Sequence, residues 1–180
     1  IHKENFLSPS LFARLNNVIE SQTLDWYFQA WTVYHTNDAN SMFVHTLYDS
    51  FQQIYVTKRF DIFAPVLDIL NDEVEFKTLL KMKMNFYTNH TEQHFHKKHY
   101  DAVITAKEPN NPRNDVINAV FNFTDCDGFT QIEKTKYKSD DGKIRYMEEE
   151  KYPSKANSII IFDNQRLHFG ATPTDKKKRV

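Results

Sequence analysis

His99-Tyr100-Asp101 closes a segment crowded with imidazoles (His90, His94, His96 and His99), and its reading decides how the rest of the chain is read. In an extended backbone successive side chains alternate faces, so His99 and Asp101 point the same way. An imidazole and a carboxylate so placed can fill two adjacent positions around a metal ion. A second His from elsewhere would complete one face of that ion, and His168 is the downstream candidate.

The neighbouring stretches support an extended setting. Residues 79–87 alternate, with Leu80, Met82, Met84 and Phe86 on one face and Lys81, Lys83, Asn85 and Tyr87 on the other. Such a strand has an apolar side in the core and a polar side toward solvent or a polar cavity. Lys81 and Lys83 read as a solvated face, while Asn85 and Tyr87, so near the histidines, read equally well as cavity lining.

Downstream, residues 102–115 carry Pro109, Pro112 and three Asn, a long loop of the kind that forms lids or binding loops. Residues 116–124 read as a strand with Asn118, Val120 and Asn122 on one side and Ile117, Ala119, Phe121 and Phe123 on the other. Asp127-Gly128 reads as a turn before a short strand at 129–135. Asp141-Gly142 is a stronger hairpin signal, joining Lys136-Tyr137 to Ile144-Arg145-Tyr146. Glu148-Glu149-Glu150 reads as solvated surface. Ser158-Ile159-Ile160-Ile161-Phe162 is the most strongly β-forming run, and it ends in a turn at Asp163-Asn164 just before His168.

The N-terminal third mixes helix and strand. Ser8-Pro9 is an N-cap with proline at the first helical position, and Leu11, Leu15, Val18 and Ile19 continue a helix to residue 22. Residues 24–34 read as a strand with Trp26, Phe28, Ala30, Thr32 and Tyr34 on one face; residues 37–41 are a loop and 42–48 another strand. His35 and His45 in this region read as surface or internally satisfied histidines. Phe60, Phe63, Val66, Leu67 and Leu70 have helical spacing, which Pro65 tolerates only in a first turn.

With 180 residues the chain suits one domain with a substantial core. We expect residues 1–78 to form a supporting helix-and-strand region and 79–180 the core that carries the metal site. Lys plus Arg (23) nearly balance Asp plus Glu (24), so no global charge draws the protein to nucleic acid or membrane. Cys126 is the only cysteine, which excludes an intrachain disulfide and disfavours a Cys-based zinc or iron–sulfur site. No signal peptide or bilayer-length apolar run is read, so a soluble, cytoplasmic protein is expected. The chain starts without Met and stops one residue after Arg179, so trimmed ends are expected.

The order His99-x-Asp101, the strand at 116–123, Gly128-Phe129-Thr130, the apolar strand at 158–162, His168, and Arg179 eleven positions further resembles the Fe(II)/2-oxoglutarate-dependent dioxygenase superfamily. The resemblance is to its prolyl-4-hydroxylase-like branch, with bacterial and phage relatives, and covers about residues 80–180. It implies a mainly β fold with flanking helices, a double-stranded β-helix (jelly roll). It also implies Fe(II) held by His99, Asp101 and His168, with 2-oxoglutarate, O2 and accessory ascorbate. Arg179 would bind the far carboxylate of the cosubstrate as a planar, permanently charged partner, with Lys177, on the same strand face, as the alternative. Tyr87, Asn85, Asn122 and Thr130 are candidates to hydrogen-bond the cosubstrate.

His94-x-His96 competes as a cupin-type ligand pair, but that pattern requires a following Glu and flanking glycines, which are absent. His94 and His96 are therefore read as residues at the mouth of the site. The implied activity is hydroxylation of a C–H bond in a prolyl or other side chain of a protein or peptide, with a small-molecule substrate left open. Nucleic acid is disfavoured, because no basic stripe with interleaved aromatics occurs outside the short tail. The competing class is a non-enzymatic jelly-roll binding module that keeps the fold and a metal. The sequence leaves substrate and oligomeric state undecided.

Overall fold

The computed structural model describes residues 1–21, 23–33, 40–51, 55–103, 110–134, 136–138, 140–142, 144–146 and 148–180, with backbone alone at 55, 136–138 and 144–146. The chain is mainly β, and every strand pairing among the described residues is antiparallel. One layer begins with β1 (His2–Glu4), β11 (Ser158–Asp163) and β6 (Ile117–Asn122), in that spatial order. Past β6, the Phe123 amide donates to the Val180 carbonyl (2.9 Å). That bond leads into β13 (Lys178–Arg179), β5 (Lys81–Thr88), β3 (Met42–Asp49) and β2 (Tyr27–Gln29), with β4 (Tyr55–Val56) also on β3.

The second layer is β10 (Glu149–Ser154), β7 (Cys126–Glu133) and β12 (His168–Gly170). It is extended beyond β12 by single bridges, Phe95 to Ala171 and His99 to His168. A hairpin of β8 (Lys136–Lys138) and β9 (Ile144–Tyr146) stands apart, turning at Gly142 with φ 78°, as the Asp-Gly signal requires.

Ile132 of the second layer packs on Ile160 and Phe162 of the first, with Val120 and Tyr152 around them. The outer face of the first layer is covered by α1 (Pro9–Glu20) and α3 (Pro65–Glu73), with the short α2 (Phe60–Phe63) before it. There Leu15, Ile19, Phe63 and Val66 meet Leu47 and Met84. Each fully buried side chain of this kind contributes about 1.5–3 kcal/mol. The Ser8 side chain caps α1 by accepting from the Leu11 amide (3.4 Å).

Three expectations need correction. The helical spacing across 60–70 belongs to two helices, because Pro65 has no N–H to continue α2 and instead opens α3. The strand over 24–34 shrinks to β2. Its Tyr27 and Phe28 are 59% and 65% exposed, since an edge strand has nothing beyond it to cover its aromatics. Trp26 packs instead on Phe86, with ring centroids 5.1 Å apart. Tyr34, His35 and the loop at 37–39 lie outside the described residues.

Asp127-Gly128 does not turn; it lies inside β7. A Cβ on Gly128 would sit 2.9 Å from both the Ala171 carbonyl oxygen and Arg179 Cδ, so glycine serves close approach rather than chain reversal. The Asp127 carboxylate accepts from the Thr174 amide (2.8 Å) and hydroxyl, fixing the chain just before β13.

The face alternation of β5 holds. Met82, Met84 and Phe86 turn to the helices and Trp26, leaving Lys81, Lys83, Asn85 and Tyr87 on the inner side. The long loop at 102–115 is described only in part, with Val103 bridging Pro112 and 104–109 outside the description. Glu149 is not merely solvated: it pairs with Lys98, next to His99.

Candidate metal centre

The bridge between His99 and His168 is the local cause of the site. The His99 amide donates to the His168 carbonyl (3.0 Å) and the His168 amide donates back (3.2 Å). A pair bonded in both directions puts its two side chains on the same face, and the imidazole centroids are 4.4 Å apart. Asp101, two residues on, returns to that face. Its carboxylate oxygens lie 3.6 Å from His99 Nε2 and 3.3 Å from His168 Nε2.

Each ring is held through its other nitrogen. His99 Nδ1 donates to the Lys97 carbonyl (3.0 Å), and His168 Nδ1 to the Arg166 carbonyl (3.4 Å). That tautomer leaves both Nε2 lone pairs pointing at Asp101, as metal ligation needs. The three residues offer one donor atom each, all within 4.8 Å of one another. Two neutral nitrogens and one carboxylate oxygen at that spacing fit a divalent transition metal with open positions.

The electrostatics agree. Burial pushes the Asp101 carboxyl up, but the His168 and His99 imidazoles outweigh it and hold it well below the usual carboxylate range. Burial pushes His168 down, and Asp101 outweighs that to raise it. The pocket favours a cation between these groups, a proton where no metal is bound.

A second cluster lies beside the first. Arg179 is only 4% exposed. Its guanidinium donates to the carbonyls of Phe129 (2.9 Å) and Ala171 (3.0 Å), to Thr130 Oγ1 (2.9 Å) and to Asn122 Oδ1 (3.4 Å). All four acceptors are neutral, and among the described residues no carboxylate pairs with it. An unpaired buried cation costs several kcal/mol, so such a group is poised for an anion.

Tyr87 sits opposite Arg179 in the β5–β13 ladder, its ring 5.8 Å from the guanidinium carbon. Burial raises the Tyr87 phenol more than Arg179 lowers it, so it stays a neutral donor. Asn85 lies two residues before Tyr87 on the same face of β5, and its Oδ1 is buried without a partner among the described residues. The geometry therefore gathers His99, Asp101 and His168 in one group and Arg179, Tyr87, Asn85, Asn122 and Thr130 in another. Lys177 is exposed, outside both groups, where its carbonyl accepts from the Asn89 amide.

Sequence reading missed three participants, Gly170, Lys83 and Asn164, and placed His94 and His96 together at the mouth, where the structure separates them. His96 is buried with its ring 4.6 Å from that of Tyr87, whereas His94 stacks on His90 at 4.2 Å. Gly170 makes room for His96 and Arg179, since a Cβ there would lie 3.2 Å from His96 Nδ1 and 3.3 Å from the Arg179 Nη1. Lys83, on the same strand face as Tyr87, is exposed yet close enough for its charge to be felt by both Asp101 and His168.

Asn164 is the third, fully buried after β11. Its Oδ1 accepts from the Ala102 amide (3.0 Å) and the Asn118 amide group (3.3 Å), and its Nδ2 donates to the Ala102 and Arg113 carbonyls. It thus pins the residue after Asp101. Asn164→Ala would strand these groups, and a loss of about 2–4 kcal/mol is expected in chemical denaturation, together with roughly 10–100-fold weaker metal binding.

No protein-family model matches the chain, nor does any curated protein. Solved structures do. An oxidoreductase of the 2OG-Fe(II) oxygenase family from Burkholderia pseudomallei superposes with a TM-score of 0.67 at 10% identity, covering 99% of this chain and 80% of the other. A Pseudomonas putida prolyl-4-hydroxylase gives 0.52 at 12% identity, covering 99% and 87%. The chain has the fold of these 2OG-Fe(II) oxygenases, prolyl-4-hydroxylase included, in agreement with the resemblance read from His99-x-Asp101, His168 and Arg179.

Proposed function

We propose that this protein is an Fe(II)- and 2-oxoglutarate-dependent dioxygenase that hydroxylates a C–H bond, built on a double-stranded β-helix formed by its two packed sheets. The observation that carries the reading is the joint presence of the His99, Asp101 and His168 donor set and, beside it, a buried Arg179 without an acidic partner. A divalent ion and a dianionic cosubstrate answer both at once. The names of the two structural neighbours give independent support.

His99, Asp101 and His168 would hold the iron. Arg179 would take the distal carboxylate of 2-oxoglutarate through its fork of donors, with Thr130 and Asn122 holding the fork in place. Tyr87, kept neutral, donates a hydrogen bond into the same pocket, and the partnerless Asn85 Oδ1 is available beside it. When bound, iron with 2-oxoglutarate and O2 supplies the oxidation of a substrate C–H bond, the cosubstrate leaving as succinate and CO2. The buried side chains of Phe162, packed on the His168 ring, and Ile132, opposite His168 in the ladder, limit water on that side of the donor set. By branch resemblance the substrate is a prolyl or other side chain of a protein or peptide, with a small molecule as the other class.

Adding 2-oxoglutarate anaerobically to the Fe(II)-loaded protein should produce a weak visible absorption band, and admitting air should yield succinate. Neither signal appearing would refute the reading and leave a non-enzymatic jelly-roll module.

A further inference from the structure

Lys81 and Lys83 share the inner face of β5, yet they are partnered differently. Lys81 is ion-paired with Asp49 at 2.6 Å. Lys83, opposite Thr46 of β3, makes no ion pair or hydrogen bond among the described residues. Many of the other lysines are matched at the surface: Lys3 with Glu73, Lys98 with Glu149 and Glu133, Lys178 with Glu20. Lys83 lies on the β5 face that also carries Asn85 and Tyr87, within electrostatic reach of Asp101. Water reaches its surface there, while the surrounding protein makes its charge costly, pushing its pKa down against the pull of Asp101.

The charges in the cavity can be balanced one by one, given the function proposed above. Asp101 and the divalent ion belong to the metal centre, and Arg179 meets the distal carboxylate of the cosubstrate. Lys83 remains. A lone ammonium facing the reaction centre from the wall opposite the metal-bearing bridge favours an anionic group on whatever enters last. A single positive charge matches a carboxylate, whereas a phosphate of nearly two negative charges would call for a second cation.

We infer that Lys83 is the substrate-recognition residue of this site, and that the substrate carries a carboxylate close to the C–H bond that is oxidised. The carboxylate could come from a free N-substituted amino acid or from an acidic side chain of a peptide; the recognising chemistry is the same.

The test uses the full chain loaded with Mn(II), a redox-inert stand-in for iron, and saturating 2-oxoglutarate so that Arg179 is occupied. Two pairs of probes differing only in charge are titrated: N-acetyl-L-proline against N-acetyl-L-prolinamide, and acetyl-Ala-Glu-Ala-amide against acetyl-Ala-Gln-Ala-amide. Line broadening of probe protons by Mn(II) reports binding near the metal without any turnover. At least one acid should bind about ten-fold more tightly than its amide, and the pair that responds identifies the source of the carboxylate. Lys83→Met should abolish the preference and Lys83→Arg should keep it.

Equal broadening within both pairs, or a preference that survives in Lys83→Met, overturns the inference. So does a loss of 2-oxoglutarate affinity in Lys83→Met as large as in Arg179→Gln, which would assign Lys83 to the cosubstrate. A protein that gives the anaerobic visible band but shows no acid preference fails this inference alone, and one that gives no band fails the functional reading first.

Discussion

Asp101→Ala is expected to abolish Fe(II) binding and succinate formation together. The carboxylate is the only anionic donor of the set, and its oxygens face both Nε2 atoms at 3.3 and 3.6 Å. Removing it leaves two neutral imidazoles, which hold a hard divalent ion poorly. Loss of a group behind a ligand already costs roughly 10–100-fold in metal affinity, and loss of a ligand exceeds that. Isothermal titration with Fe(II) under anaerobic conditions reads the effect directly. Wild-type iron affinity should also fall as pH drops through the raised value of His168, because loading must displace the proton that Asp101 stabilises there. Iron binding by the alanine variant as tight as in wild type would remove Asp101 from the metal centre.

Arg179→Gln is expected to leave Fe(II) affinity nearly intact while weakening 2-oxoglutarate about 100-fold, since truncating one side of a buried charge pair costs roughly 2–5 kcal/mol. The substitution keeps a neutral hydrogen-bonding group in the pocket but loses the charge and the fork. Arg179→Lys separates those two: it keeps the charge without planar, two-point geometry and should fall between the two. The readout is the rise in Tm on adding 2-oxoglutarate to the metal-loaded protein. Equal rises in wild type and Arg179→Gln would contradict the assignment.

The features legible in the sequence are those carried by local periodicity and by order along the chain. The two-residue alternation of β5 put Asn85 and Tyr87 on one side, and the structure keeps them there. His99, Asp101, His168 and Arg179 were identifiable because each follows or precedes a recognisable strand. What was not legible depends on contacts between distant segments. Gly128 looked like a turn because nothing local reveals that Arg179 and Ala171 press against it. Asn164 is the turn residue that the sequence marks, but its pinning role was not legible because its partners, Ala102 and Arg113, lie far back in sequence. Lys83 and Lys81 are equivalent by pattern, and only the position of Asp49 tells them apart. The aromatic and β-branched content of 24–34 suggested a long strand, and only Tyr27–Gln29 forms one, since composition does not mark where pairing to a neighbour stops.

The segment that carries His99 meets the segment that carries His168 through two isolated bridges, Phe95 to Ala171 and His99 to His168, rather than through a continuous ladder. A divalent ion at His99 and His168 would act as a reversible cross-link, closing a long chain loop that is otherwise joined here by a few backbone hydrogen bonds. Its binding energy then becomes part of the folding equilibrium, contributing about 2.7 kcal/mol when the free ion stands at 100 times its dissociation constant. The protein's resistance to unfolding would therefore track the supply of free metal, and iron scarcity would be felt as chain lability before it was felt as lost turnover.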